Sequence, residues 1–242
     1  MKKLSLNRNQ IKYLVIVAML IDHIAWGFVP TLSWQGQAMH FIGRLTGPVM
    51  AFFVAEGYQH TRDVRRYALR LGLFALISWP AVTLFEFGRW PYPMQGVIYT
   101  LLLGLLSIWI WDRAPVPVWV KLAGIGGLLW LSRWGDWMYF DVLWPLCLFI
   151  FRNQPRRKWL SYWLIALSVV IAMNWDMFRY PRYWWRSLFQ LGVLMAPVLM
   201  QFVYNGEPGS RKPFHKWFFY VFYPAHMLVL AAIRYHWWTL LS

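Results

Sequence analysis

Apolar residues in this chain come in long runs, and the polar stretches between them are short and mostly basic. The runs fall at 11–29, 38–59, 66–87, 95–112, 115–132, 138–151, 158–174, 184–204 and 216–239. A helix needs about 20 residues, rising about 1.5 Å each, to cross a hydrocarbon layer roughly 30 Å thick, and most of the runs approach that length. The fifth and sixth are the shortest fits, and Gly124, Gly126 and Gly127 weaken the helix in the fifth. No long linker, soluble domain or internal repeat interrupts the series. The pattern predicts an all-α fold, a polytopic membrane helical bundle of nine transmembrane helices, with residues 1–242 as one integral-membrane domain.

The loops carry the orientation. Lys2, Lys3, Arg8, Lys12, Arg62, Arg65, Arg66, Arg70, Arg113, Lys121, Arg152, Arg156, Arg157, Lys158, Arg211, Lys212 and Lys216 fall on one side, seventeen in all. Arg89, Arg133, Arg179, Arg182, Arg186 and Arg234 make six on the other, and Arg44 lies inside a run. Cytoplasmic loops hold the excess of Lys and Arg, so the bias predicts a cytoplasmic N-terminus and an odd number of spans. Lys2 and Lys3 before an apolar run have the outline of a signal peptide. That run, however, contains Asp22 and His23 and ends at Pro30 without a small-residue cleavage site, so it reads as a retained first helix.

Composition narrows the class. Only 14% of the 242 residues are charged and 60% are hydrophobic, against about 25% charged in an ordinary soluble domain, which leaves too few polar groups to cover a soluble surface. Disorder is excluded by the same numbers, and the lone Cys147 excludes a disulfide scaffold. A net charge of +15 would suit nucleic acid, but the hydrophobic excess assigns it to a membrane surface, and no nucleic-acid partner is expected. Nineteen Trp and thirteen Tyr suit interfacial aromatic belts.

Charged groups at bilayer depth cost several kcal/mol and mark function by default. Asp22 and His23 lie in the first run, His40, Arg44 and Glu56 in or beside the second, and His226 in the last. At about 1.5 Å per residue, His23, Arg44 and His226 sit roughly 18, 20 and 15 Å above the cytoplasmic end of their helices, a common height near the midplane. Asp22 and Arg44 also suit a structural ion pair. His40 is expected near the outer surface as an interfacial residue, and Arg62, Arg65 and Arg66 suit either membrane anchoring or a phosphate-bearing ligand. Glu56 and His60 are spaced i, i+4, but two ligands alone do not make a metal site, and no metal is expected. Gly43 and Gly47 have the spacing of a close helix approach, flanking Arg44. Pro48, Pro80, Pro145, Pro197 and Pro224 lie inside runs, where each frees a backbone carbonyl. No phosphate-binding glycine loop, G-x-S-x-G elbow or zinc spacing is present.

The motifs Met19-Leu-Ile-Asp22-His23-Ile24, Ile42-Gly-Arg44-Leu-Thr-Gly-Pro48, Phe53-Val-Ala-Glu56-Gly-Tyr-Gln-His60-Thr-Arg62 and Phe219-Tyr220-Val-Phe-Tyr223-Pro224-Ala-His226 together resemble the TraX family. So do Tyr67-Ala-Leu-Arg70, Ala75-Leu-Ile-Ser78-Trp-Pro80 and Tyr204-Asn205-Gly206. The resemblance runs in order along nearly the whole chain and is strongest in the first 80 and last 40 residues. Gly96, before Val97-Ile-Tyr99-Thr100, departs from it, since the family often has Asn there, a possible polar contact in the cavity.

The family's namesake acetylates the N-terminus of conjugative pilin, and the resemblance implies a transmembrane acyltransferase of a bacterial inner membrane, using cytosolic acetyl-CoA as acyl donor. It points to Asp22, His23, Arg44 and His226, expected to be catalytic, and to Glu56, His60, Arg62 and Tyr223, expected to bind the donor; Arg65 and Arg66 join the donor-binding set as basic residues at the cytoplasmic mouth beside Arg62. His23 would act as general base or transient acyl carrier with Asp22 fixing its tautomer, Arg44 would stabilise the developing oxyanion, and His226 would deprotonate the acceptor. Direct transfer and an acetyl-histidine intermediate both remain open. Pilin is the family's example of an acceptor, and a cell-envelope glycan or another peptide amine is the alternative. The competing readings are a proton-coupled transporter using the same buried charges, which lacks the expected repeat, and a structural membrane protein, which leaves those charges unexplained.

Overall fold

The structure, a computed structural model, describes residues 5–175 and 181–236, the side chains of 181–184 excepted. Lys2, Lys3, Arg179, the Arg182 side chain and the end of the last run at 237–239 lie outside the described residues. Among the described residues every regular element is helical, in keeping with the all-α expectation. The elements are α1 (Arg8–Phe28), α2 (Trp34–Gly43), α3 (Thr46–His60), α4 (Val64–Phe87), α5 (Val97–Arg113), α6 (Val118–Ser132), α7 (Phe140–Ile150) and α8 (Pro155–Met173). A mixed helical segment follows, wound as 3-10 over Pro181–Leu194, as α over Met195–Val198 (α9) and as π over Leu199–Val203, and then α10 (Pro213–Arg234).

Among the described residues, five stretches are long and apolar enough to cross a membrane: Arg8–Phe28, Trp34–His60, Val64–Phe87, Trp185–Val203 and Pro213–Arg234. The other expected spans are helices too, but α6 has 15 residues and α7 only 11. At about 1.5 Å per residue those reach roughly 23 and 17 Å, less than a full hydrocarbon thickness.

The second run differs from the single helix predicted over 38–59. It starts earlier, at Trp34, and breaks at Arg44–Leu45. Pro48 explains the break. It has no N–H to donate to the carbonyl of Arg44 four residues back, and its ring crowds that carbonyl. The chain therefore closes α2 with Arg44 as C-cap and restarts at Thr46, which puts Pro48 in the first turn of α3, where a missing N–H costs nothing.

The chain divides into two compact units, Met1–Val49 with Ala166–Ser242, and Met50–Ile165. In the first, α1 buries the stripe Ile11, Val15, Ala18, Met19, Asp22 and Ala25, spaced three and four apart as one helix face requires. Asn7 and Gln10 form a reciprocal capping box at its start. The start of α1 is tied to the stretch ahead of α10: Leu6 N–H donates to Val203 O at 2.9 Å, at the end of the π turn, and Asn9 Nδ2 donates to Ser210 O at 2.8 Å. Gln37 on α2 pins the 3-10 stretch, donating to Arg186 O and accepting from Phe189 N–H. A Cβ on Gly192 would overlap the carbonyl of Phe41, so that approach needs glycine.

In the second unit α5 is central, touching α4, α6 and α7. Gly104 lets α5 close on α7, since a Cβ there would meet the Asp141 carbonyl. Leu103, Leu128 and Val142 fill the space between. Gly96 stands at the N-cap of α5 and supplies no side-chain cap, so an Asn here would sit at a capping position.

Candidate active site in the first unit

Asp22 is the hub. Its Oδ1 accepts from His40 Nδ1 at 2.7 Å, and its Oδ2 accepts from Arg44 Nη2 at 2.9 Å. The spacing of His40 and Arg44, one turn apart on α2, presents both to the same point of α1. Gly43 lies between them in sequence, and a Cβ there would overlap the Asp22 side chain, so the glycine admits the carboxylate. All three groups are largely buried, and the carboxylate offsets the guanidinium, which is what makes a charge tolerable at this depth. The ion pair of Asp22 with Arg44 is therefore present. His40, expected near the outer surface, does not face outward: the residue is fully buried in the protein, between the Trp26 ring at 4.1 Å and the Phe189 ring at 5.2 Å. Sequence position alone put it near a run's end. The missed signal is its i, i+4 spacing to Arg44.

The hydrogen bonds fix the imidazole tautomers. A carboxylate only accepts, so His40 carries a proton on Nδ1, while its Nε2 is buried and has no partner. His226 Nδ1 donates to the Phe222 carbonyl at 2.8 Å, four residues earlier on α10. With both rings neutral, His226 Nε2 then has a lone pair, and it meets His23 Nδ1 at 2.7 Å. His23 must be the donor in that bond, so its own basic nitrogen is Nε2. The two imidazoles lie nearly parallel, 19° apart with centroids 5.0 Å apart, and Phe222 stacks on the far side of His226. Tyr223, buried, completes this group at 5.7 Å from His226.

Four expected catalytic residues thus share the first unit, with two changes of partner. Both oxygens of Asp22 are engaged by His40 and Arg44, so the imidazole it orients at hydrogen-bond distance is His40. His226 holds His23 through its Nε2 rather than offering that nitrogen elsewhere. Tyr223 stands with the histidines.

The remaining donor-binding candidates belong to the second unit. Arg62 and Arg65 line a cavity of about 700 Å³ together with Arg113 and Arg152. Arg66 is not part of its wall and pairs with Asp63 at 3.0 Å. His60 is exposed and donates from Nδ1 to the Glu56 carbonyl at 2.8 Å, while Glu56 is half-buried on α3. Among the described residues no three His, Cys, Asp or Glu side chains gather as metal ligands would.

Residues 7–234 match a family model described as TraX protein. The chain is also 30% identical over 234 residues to a protein of Dichelobacter nodosus named "Probable fimbrial assembly protein FimC, serogroup H1", covering 93% of this chain and 94% of that one. No solved structure matches. A family match that runs from the start of α1 to the end of α10 takes in every residue of the Asp22 and His23 groups, and the chain belongs to the TraX family.

Proposed function

We propose that this protein is an acetyl-CoA-dependent acyltransferase of the bacterial inner membrane, with nine spans and a cytoplasmic N-terminus. It moves an acetyl group to an amine or hydroxyl acceptor, with a pilin N-terminal amine preferred over an envelope glycan. The observation that carries the reading is the hydrogen-bonded pair of part-buried His23 and buried His226 beside an Asp-oriented arginine. The fimbrial-assembly name of the D. nodosus relative favours a pilus subunit as the acceptor.

The chemistry follows from the hydrogen bonds. His23 Nε2 takes the proton of the acceptor amine as nitrogen attacks the thioester carbonyl, and the C–S bond breaks as the tetrahedral centre collapses. The leaving thiolate takes up a proton, so acetyl-CoA and amine become amide and CoA thiol. His226 holds His23 in the required tautomer, a positioning role. Arg44, kept in place by Asp22, stabilises the oxyanion. Arg62 and Arg65 bind donor phosphate.

The test uses purified protein in nanodiscs with acetyl-CoA labelled in the acetyl group and a synthetic peptide bearing a free N-terminal amine. Thiol release and labelled peptide are expected from wild type and not from His23→Ala. Well-folded protein that neither binds CoA nor releases thiol overturns the reading and returns weight to a proton-coupled carrier.

A further inference from the structure

We infer that the arginine-lined cavity of the second unit binds an organic phosphate carrying two or more negative charges, and that Arg113 and Arg152 are ligands there alongside Arg62 and Arg65. This deepens the acetyl-CoA reading and rests on it for the ligand's source, a nucleotide bearing a diphosphate and a sugar phosphate. The shared chemistry, phosphate on a membrane-flanking surface, would also fit an anionic lipid headgroup.

The charge distribution of the wall carries the inference. Four arginines face two carboxylates, Asp63 and Asp112, and both carboxylates are already engaged. Asp63 caps α4 by accepting from Arg66 N–H and also pairs with the Arg66 side chain. Asp112 accepts from the Tyr58 hydroxyl at 2.7 Å and from Arg113 Nε at 2.9 Å. Arg113, steadied by Asp112 and the Tyr58 hydroxyl, holds its guanidinium in the same wall. Arg152 has one terminal nitrogen on the Phe149 carbonyl and its plane over the Phe149 ring at 4.0 Å, which stiffens a long side chain and leaves its other donors outward. Such a pre-formed fork suits phosphate better than a solvated, mobile one.

Backbone adds to the side chains. The cavity wall includes Val64 and Arg65, the first two residues of the 24-residue α4, whose N–H groups precede any acceptor within the helix. The positive end of a helix dipole therefore meets the same space as the guanidiniums. Trp109 offers aromatic surface for a base, and a volume of about 700 Å³ is of the size that takes a nucleotide.

The experiment uses the full-length protein in phosphatidylcholine nanodiscs, with adenosine 3′,5′-bisphosphate and CoA titrated calorimetrically. The bisphosphate is expected to bind and to compete with CoA. Arg113→Gln and Arg152→Gln should each weaken both by about tenfold or more, as loss of a charge-assisted hydrogen bond implies, while Arg157→Gln on α8 removes equal charge with little effect. CoA binding that survives both substitutions overturns the cavity assignment and leaves the acyltransferase reading standing. An equal loss with Arg157→Gln also overturns it, reducing the effect to surface charge. Bisphosphate binding without thiol release from acetyl-CoA supports the cavity and counts against transfer. Protein that ignores both nucleotides but retains phosphatidylglycerol, and releases it in Arg152→Gln, overturns the nucleotide source in favour of a lipid headgroup.

Discussion

His40 Nδ1 donates to Asp22 Oδ1 across 2.7 Å, from a ring with no solvent exposure. The same carboxylate holds Arg44 by its other oxygen, so one acid on α1 fixes two donors from α2. Asp22→Asn keeps the shape and removes the charge. Breaking a buried pair from one side leaves the partner charge uncompensated, at a cost of about 3–5 kcal/mol. Removing the partner as well should recover part of that. In a cycle of Asp22→Asn with Arg44→Met, read by thermal unfolding in detergent, a coupling of about 1–3 kcal/mol is expected. Additive losses would mean that the pair is not a working interaction.

His226 acts on His23 through a hydrogen bond, so a side chain with an acceptor in the same place should partly replace it. His226→Leu removes the acceptor and is expected to lower acetyl transfer, by less than the roughly 10²–10⁴-fold that the general base His23 itself is worth. His226→Gln should recover a measurable share of that rate and shift the pH–rate profile. Leu and Gln variants of equal activity would contradict the positioning role.

How much of this could be read from the sequence depended on which physical signal set each feature. The helices came from apolar runs long enough to span a bilayer, and Arg44, His23 and His226 came from the cost of charge at that depth. The break at Arg44–Leu45 was half legible, because Pro48 announces it but the restart at Thr46 depends on local capping. His40 was misread, since counting residues from a span's end gives depth and not the direction a side chain faces. The tautomers of His23 and His226 depend on the Phe222 carbonyl and could not be read from spacing at all. Arg113 and Arg152, counted at first only as inside charges, join Arg62 and Arg65 because separate helices bring their ends to one cavity.

Gly43 admits the Asp22 carboxylate, and a methyl group has nowhere to go without moving it. Gly43→Ala should cost about 1–3 kcal/mol by overpacking, despite the better helix propensity of alanine. The displaced carboxylate should also lose Arg44, so transfer activity should fall in protein that still folds. A stabilised, fully active Gly43→Ala protein would remove this account of the helix contact.

Thr100 donates to the fully buried Asp141 at 2.9 Å, linking α5 to α7, and the other Asp141 oxygen has no partner. Thr100→Val preserves shape and removes the donor, leaving the acid with neither oxygen bonded. The expected loss is about 1–3 kcal/mol, visible as a lower unfolding temperature. Thr100→Ser, which keeps the hydroxyl, should fall well short of that loss. Equal losses for Val and Ser would assign the effect to the methyl group instead.

The bonds from Leu6 and Asn9 to Val203 and Ser210 tie the chain's start to the loop before α10, so both must lie on one side of the membrane. The proposed orientation makes that side the cytoplasm, on the excess of Lys and Arg in these two segments. α10 has 22 residues, about 33 Å of helix, which carries Tyr235 to the opposite face. In a Cys147→Ser background, Ser5→Cys and Ser210→Cys should react with a membrane-impermeant maleimide in inverted vesicles and stay protected in intact spheroplasts. Tyr235→Cys should show the reverse. Labelling of Ser5→Cys and Ser210→Cys from opposite sides would break the link between them. Labelling of both from outside would keep the link and invert the orientation, which would put the arginine-rich loops on the side where cytosolic acetyl-CoA is absent and so remove the donor from the proposed reaction.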